Sequence, residues 1–197
     1  MKISICQTVY GEDREPLHRR MVASAMAATL PPGWSLEWCL CRFDNEATPY
    51  LPDPQHIAYT VPPFSCGRGR NLAAIAAQGK VLAFIDADML LPAGFWKAVC
   101  PIIERDPLAL VCPKYERIMP DGSTVPGNGW GNLICRRALF DATTGYEMRT
   151  VWGGEDTAAI AALRKFGGQV YRVNVPGFLH QWHPKVGAWY DGAEVQP

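Results

Sequence analysis

Asp86 and Asp88 stand two residues apart at the end of Lys80-Val81-Leu82-Ala83-Phe84-Ile85, a short apolar run rich in strand formers. Strand side chains repeat with period two, so the sequence predicts that both carboxylates point to one side where the strand gives way to a loop. Paired carboxylates repel each other, and a hard divalent cation with oxygen ligands relieves that repulsion. A bare Asp-x-Asp suits a solvated turn equally well, so the pair gains meaning only from its companions. A second acidic pair, Glu155-Asp156, follows Gly153-Gly154 at an expected helix start. Glycines let a substrate approach the backbone, and a helix N-terminus keeps a carboxylate ionised, as a proton-accepting base must be. The same dipole also favours acids that only start a helix. Two of the chain's four histidines fall in His180-Gln181-Trp182-His183. Imidazole beside carboxylates suits manganese or a similar ion, and two surface histidines on a loop are the alternative. His18 and His56 read as structural.

Composition bounds what these residues can be part of. A chain of 197 residues supports one domain with a sizeable core. Its 48% hydrophobic and 19% charged content describe an ordinary globular protein, and a formal net charge of zero gives no support to strong nucleic-acid or anionic-membrane binding. Seven cysteines, an odd number without a Cys-x-x-Cys pair, read as reduced and mostly buried thiols of a cytoplasmic protein. The mixed segment after Lys2 does not resemble a signal peptide, and no window approaches a transmembrane span.

The elements that must position the acids and histidines follow from periodicity and punctuation. Residues 2–9 alternate as a strand, and 15–30 carry apolar residues at helical spacing up to Pro31-Pro32-Gly33. Strands are expected at 36–43 and 56–61, an alanine-rich helix at 70–78, and the buried strand at 80–85. Pro92 is expected to open a helix to about Glu104, followed by a strand at 108–112. Pro120-Asp121-Gly122-Ser123 reads as a hairpin turn, 157–166 as a helix and 169–175 as a last strand. Strands alternating with helices through residue 112 predict right-handed crossovers and a mainly parallel sheet.

Three segments now align: Gly67-Arg68-Gly69-Arg70-Asn71 leading to Phe84-Ile85-Asp86-Ala87-Asp88; Trp152-Gly153-Gly154-Glu155-Asp156; and His180-Gln181-Trp182-His183-Pro184. In this order and at these distances they resemble the GT-A glycosyltransferases of the family 2 type, over roughly residues 3–184. The Gly-Gly-Glu-Asp segment looks most like the galactosyl- and N-acetylgalactosaminyl-transferase branch. The resemblance implies a single α/β, Rossmann-like GT-A domain over 1–197, with a mainly parallel central sheet, flanking helices and a smaller antiparallel part. Its nucleotide-sugar half would be about 1–112 and its acceptor half about 113–197.

The resemblance also implies roles. Asp86 and Asp88 would bind manganese or magnesium, Asp88 as the direct ligand and Asp86 on ribose or metal. A late histidine would complete the site, His180 in preference to His183, which could instead meet phosphate or stay structural. The two imidazoles, three residues apart in an irregular loop, need not converge on one ion. Asp156 would be the base and Glu155 an acceptor-binding partner, with the roles exchangeable. Thr8, Tyr10 and Asp44 would hold the base of the nucleotide, although Asn45-Glu46-Ala47-Thr48 departs from the family's usual acids and Gly-Ser at that point. Arg68 or Arg70 could pair with diphosphate, Asn71 with the sugar or a loop, and Trp130 in Gly127-Asn128-Gly129-Trp130-Gly131 with a sugar ring.

The chemistry agrees with that assignment. Sugar transfer from a nucleoside diphosphate needs neutralisation of the leaving diphosphate and a base for the acceptor hydroxyl. The expected function is inverting, metal-dependent transfer of a hexose or N-acetylhexosamine from a UDP-sugar to a hydroxyl of a glycan, lipid-linked sugar, protein or modified nucleic-acid base. The rivals are a nucleotidyltransferase of related fold and a non-catalytic sugar-nucleotide-binding protein.

Overall fold

Alternate residues of the central strands go to opposite faces of one sheet, and helices cover both faces. The computed structural model describes residues 1–11, 14–44, 50–53, 55–60, 63–149 and 153–184. The chain runs β1 (Lys2–Val9), α1 (Glu15–Ala27), β2 (Ser35–Arg42), β3 (Gln55–Tyr59), α2 (Cys66–Ala76) and β4 (Val81–Phe84). It continues β5 (Met89–Leu90), α3 (Phe95–Arg105), β6 (Ala109–Ile118), β7 (Thr124–Pro126), β8 (Leu133–Arg136), α4 (Arg137–Asp141), α5 (Glu155–Lys165) and β9 (Gln169–His180). The strands form a nine-stranded mixed sheet in the order β3-β2-β1-β4-β8-β6-β9-β5, with β7 paired to β6. Strands β1, β2, β3, β4, β6 and β9 run one way, and β5, β7 and β8 run against them.

Burial follows the period of two. Ile3, Ile5, Trp38, Leu40, Val81, Ala83 and Ile134 pack with Met21 and Val22 of α1 and with Phe95 and Trp96 of α3. Their neighbours Cys6, Cys39, Leu82, Phe84, Leu133 and Cys135 pack with Ala73 of α2, Phe140 of α4 and Leu163 of α5. Strands buried on both faces read as continuous apolar runs, which is why 80–85 was legible. All seven cysteines are free thiols. Burial pushes Cys41 and Cys112 up to about 11, so they serve as small apolar side chains.

Several boundaries differ from expectation, and two of the differences shape the site. Helix α2 starts at Cys66, not Arg70, because Ser65 caps it: its Oγ accepts from the Arg68 N–H. Strand β9 runs on to His180 instead of stopping at Val175, held by β6 on one side and β5 on the other. Pro92 precedes α3 by a turn, and the helix begins at Phe95. The short elements β5, β8 and α4 were not foreseen. The hairpin turn was, and Met119 N–H donates to the Ser123 carbonyl across it. Val61 lies outside the described residues. None of the described helices is long and apolar enough to cross a membrane.

Candidate active site

The candidate residues gather at the C-terminal ends of β1, β2, β4 and β9, where an open α/β sheet leaves its crevice. Strand β4 ends at Phe84, and Ala87-Asp88 form a turn before β5. The period of two therefore stops short of the acids. Asp86 and Asp88 take different hydrogen-bond partners, Arg70 and His183.

Asp88 faces the histidines. Its Oδ2 lies 3.1 Å from His183 Nε2 and 3.4 Å from His180 Nε2, and Arg14 Nη1 is 3.6 Å from the same oxygen. Both imidazoles thus converge on one carboxylate, because His180 closes strand β9 and is not part of an irregular loop. Burial alone would raise the Asp88 carboxyl, but hydrogen bonds from the two imidazoles outweigh it and hold the group well below its usual range. Burial pulls His180 down, and the Asp88 carboxylate more than reverses that, so the imidazole titrates above its ordinary value. One ligand atom from each of Asp88, His180 and His183 lies within 4.8 Å of the others. The second Asp88 oxygen, Oδ1, is buried without a hydrogen-bond partner among the described residues.

Gln181, which the sequence did not flag, braces this trio. Its backbone N–H donates to the Asp88 carbonyl at 2.8 Å, and its side chain donates to the Leu17 carbonyl at 2.9 Å and accepts from Arg20 Nε at 2.5 Å. The segment carrying both histidines is therefore tied to α1. A glutamine between two histidines is the only sequence signal that could have found it.

Asp86 belongs to a second cluster built around Arg70. That guanidinium, only 4% exposed, donates to Asp86 Oδ1 at 2.7 Å and to Asp156 Oδ1 at 2.5 Å, with Glu155 Oε1 at 3.5 Å. Arg70 also lies over the Tyr146 ring, 5.0 Å from its centroid. Three carboxylates thus share one permanent cation, and Arg70 spends its donors on protein acids, not toward open solvent. Glu155 and Asp156 occupy the first turn of α5, behind Gly153 and Gly154 at φ of 90° and 85°. These left-handed positions need glycine and let the helix start abruptly against Arg70. Burial pushes Asp156 up, Arg70 opposes it and the neighbouring acids add to it, leaving the carboxyl at about 6. Gly131 closes the cluster. A Cβ there would lie 2.8 Å from Asp86 Oδ2 and 3.2 Å from Asp156 Oδ2. Asn132 follows it and accepts from the Asp86 N–H.

The nucleoside candidates form a third group beside β1 and β2. Tyr10 stacks on Phe64 with centroids 5.7 Å apart, Phe43 meets Phe64 at 4.8 Å, and Arg68 lies 4.9 Å over Phe43. Asp44 accepts from Gly11 N–H at 3.1 Å and from Arg42 Nε at 2.5 Å. Thr8 lies where α2 presses on β1, since a Cβ on Gly69 would come within 2.4 Å of Thr8 Cγ2. Asn71 takes the loop and not the crevice: its amide donates to the Tyr146 carbonyl and accepts from the Tyr146 N–H, each at 2.9 Å. Trp130 sits beside Gly131 with Arg172 over its ring at 4.2 Å. Residues 45–48 and Trp152 lie outside the described residues.

A mixed α/β sheet with a crevice at its strand ends defines a broad class of fold, and comparison with known proteins narrows it. The sequence matches the Glycosyl transferase family 2 domain over residues 45–164. The chain belongs to that family. No curated protein matches the sequence. Among solved structures, S. aureus TarS is similar with a TM-score of 0.69 at 13% identity, over 92% of this chain and 37% of that one. S. aureus TarS 1-349 in complex with UDP-GlcNAc gives 0.72 at 14% identity, over 99% and 62%. The complex of TarS 1-349 with UDP gives 0.68 at 14%, over 93% and 61%. At such identities the likeness is one of fold, and the chain spans less than two thirds of each of these relatives.

Proposed function

We propose that the chain is a metal-dependent, inverting glycosyltransferase that moves a hexose or N-acetylhexosamine from a UDP-sugar to an acceptor hydroxyl. The observation that carries this reading is the division of the crevice between an Asp88–His180–His183 trio and an Arg70-held Asp156. The nucleotides in the TarS complexes support UDP as the donor's carrier. The Gly153-Gly154-Glu155-Asp156 segment favours galactose or N-acetylgalactosamine as the sugar, and seven free thiols suit a reducing, cytoplasmic setting.

Asp88, His180 and His183 fit a divalent cation, since their ligand atoms converge and Asp88 Oδ1 lacks any other partner among the described residues. Two imidazoles favour manganese over magnesium. Bound there, the ion would supply Lewis-acid stabilisation of the leaving diphosphate. The remaining work falls to the chain's own side chains. Tyr10, Phe43 and Phe64 offer aromatic walls for a base, with Asp44 near them. Asp156 takes the proton of the acceptor hydroxyl. The acceptor oxygen then bonds to the anomeric carbon as the bond to the diphosphate oxygen breaks, and that electron pair leaves with the diphosphate. A carboxylate poised near pH 6 is ionised at neutral pH yet retains proton affinity. Arg70 keeps it ionised and aimed, and Glu155 stands ready for the acceptor.

Incubation of the protein with manganese and a panel of UDP-glucose, UDP-galactose and their N-acetylamino forms tests this through slow hydrolysis. UDP release from at least one donor, abolished by chelator, is expected. No release from any of them would overturn the reading.

A further inference from the structure

We propose that Trp130 is a stacking platform for a sugar ring of the acceptor, so that this enzyme extends a glycan rather than modifying a protein or lipid hydroxyl directly. The inference rests on the transferase reading above and identifies the acceptor that reading leaves open. Trp130 is one of the few large apolar side chains left exposed, at 37%. One face of its indole is covered: the Arg172 guanidinium lies 4.2 Å from the ring centroid and donates to the Gly129 carbonyl at 3.2 Å. The loop below is pressed onto Tyr115, whose hydroxyl accepts from the Gly129 N–H at 3.2 Å and whose ring leaves no room for a Cβ at Gly127. The indole is thus backed by Arg172 on one face while more than a third of the residue stays exposed, an arrangement a merely solvated turn does not need.

Position supplies the rest of the argument. The residue after Trp130 is Gly131, whose missing side chain brings the backbone against both Asp86 and Asp156. A ring laid on Trp130 therefore lies beside the carboxylate that accepts a proton. The nucleoside candidates stand at the ends of β1 and β2, whereas Trp130 precedes β8 and its partner Arg172 belongs to β9. Donor and acceptor would then approach Asp156 from opposite directions. Pyranose rings carry an apolar face of weakly positive C–H groups, and an indole presents the flat, negative surface that matches it.

The test uses saturation-transfer NMR on the full chain with manganese and UDP present. The probes are the methyl β-glycosides of glucose, galactose and N-acetylglucosamine. At least one glycoside should receive saturation on its ring C–H protons. Trp130→Ala should weaken that binding about tenfold, the scale of one aromatic contact, while Trp130→Phe restores part of it. Equal glycoside binding in wild type and Trp130→Ala, or no binding of any glycoside to wild type, would overturn the platform. Loss of the glycoside signal when UDP is exchanged for UDP-N-acetylglucosamine would assign Trp130 to the donor sugar and overturn the acceptor role. Calorimetric titration of UDP into wild type reports on the transferase reading alone. Absent UDP binding with glycoside binding intact sinks that reading and not the platform.

Discussion

Asp86 and Asp88 are separated by one alanine yet inhabit opposite electrostatic settings. Asp88 faces two imidazoles, which are neutral or positive according to pH, with the Arg14 guanidinium farther off at 3.6 Å, and its Oδ1 has no hydrogen-bond partner among the described residues. Asp86 faces a buried guanidinium that never loses its charge and that also holds Asp156 and Glu155. The first cluster suits a removable cation. The second carries its own cation and keeps one carboxylate near pH 6, ready to exchange a proton.

The largest expected effect comes from removing the removable charge's anchor. Asp88→Ala should abolish metal-stimulated nucleotide binding, weakening manganese by more than about 100-fold, beyond what loss of a supporting hydrogen bond produces. His180→Ala and His183→Ala should each weaken manganese as well, because both rings meet the same oxygen. Calorimetry that finds equal nucleotide affinity with chelator present would remove the metal role from this trio. An unchanged manganese affinity in His180→Ala with loss in His183→Ala would leave the site to the latter.

The second cluster predicts a different failure. Asp156→Asn should preserve nucleotide binding and lower turnover by about 100-fold or more, the scale of a lost general base. Normal turnover in that variant, with Glu155→Gln inactive, would exchange the two roles. The pH profile sharpens the contrast. Asp156 must be ionised to accept a proton, so kcat should fall as pH drops through about 6, where burial has raised the carboxyl against the pull of Arg70. Arg70→Met removes that pull, and the acid limb should move to higher pH. A limb that stays in place, with donor KM raised instead, would show that Arg70 serves the diphosphate.

The limits of sequence reading fall along the same division. The central strands, the two-sided core and the hairpin at 119–123 were legible because apolar period and turn chemistry are local signals. The acids and histidines stood out by type and spacing. What could not be read was partnership. The gap between Arg70 and Asp156 is 86 residues along the chain, and only the tertiary fold closes it. The different partners of Asp86 and Asp88 could not be read from strand alternation, which ends with β4 at Phe84. Both histidines joined one carboxylate because β9 continues to His180, an extension stabilised by pairing with β5 and β6 that no local pattern announces. Asn71 looked like a ligand for sugar or loop, and the backbone of Tyr146 claimed it.

The smallest predicted effect tests how rigid the Arg70 cluster is. A Cβ in Gly131→Ala would stand 2.8 Å from Asp86 Oδ2, so that oxygen must move by a few tenths of an ångström. An unconstrained carboxylate would swing aside at little cost. Asp86, however, is held at 2.7 Å by Arg70, which is itself buried and held by Asp156 at 2.5 Å. Displacement should therefore pass through the guanidinium to the base and misalign it. Misplacing a catalytic group by about an ångström costs up to about 100-fold, so a shift of a few tenths should lower kcat/KM by about tenfold. Folding should change little, because only side-chain ends are crowded. Gly67→Ala is the counterpart: its Cβ would fall 2.1 Å from the backbone oxygen of Glu147, so there the melting temperature should drop. A Gly131→Ala protein with unaltered kcat/KM would mean that the three acids around Arg70 are loosely held, and that the base is aimed by the bound substrates rather than by the fold.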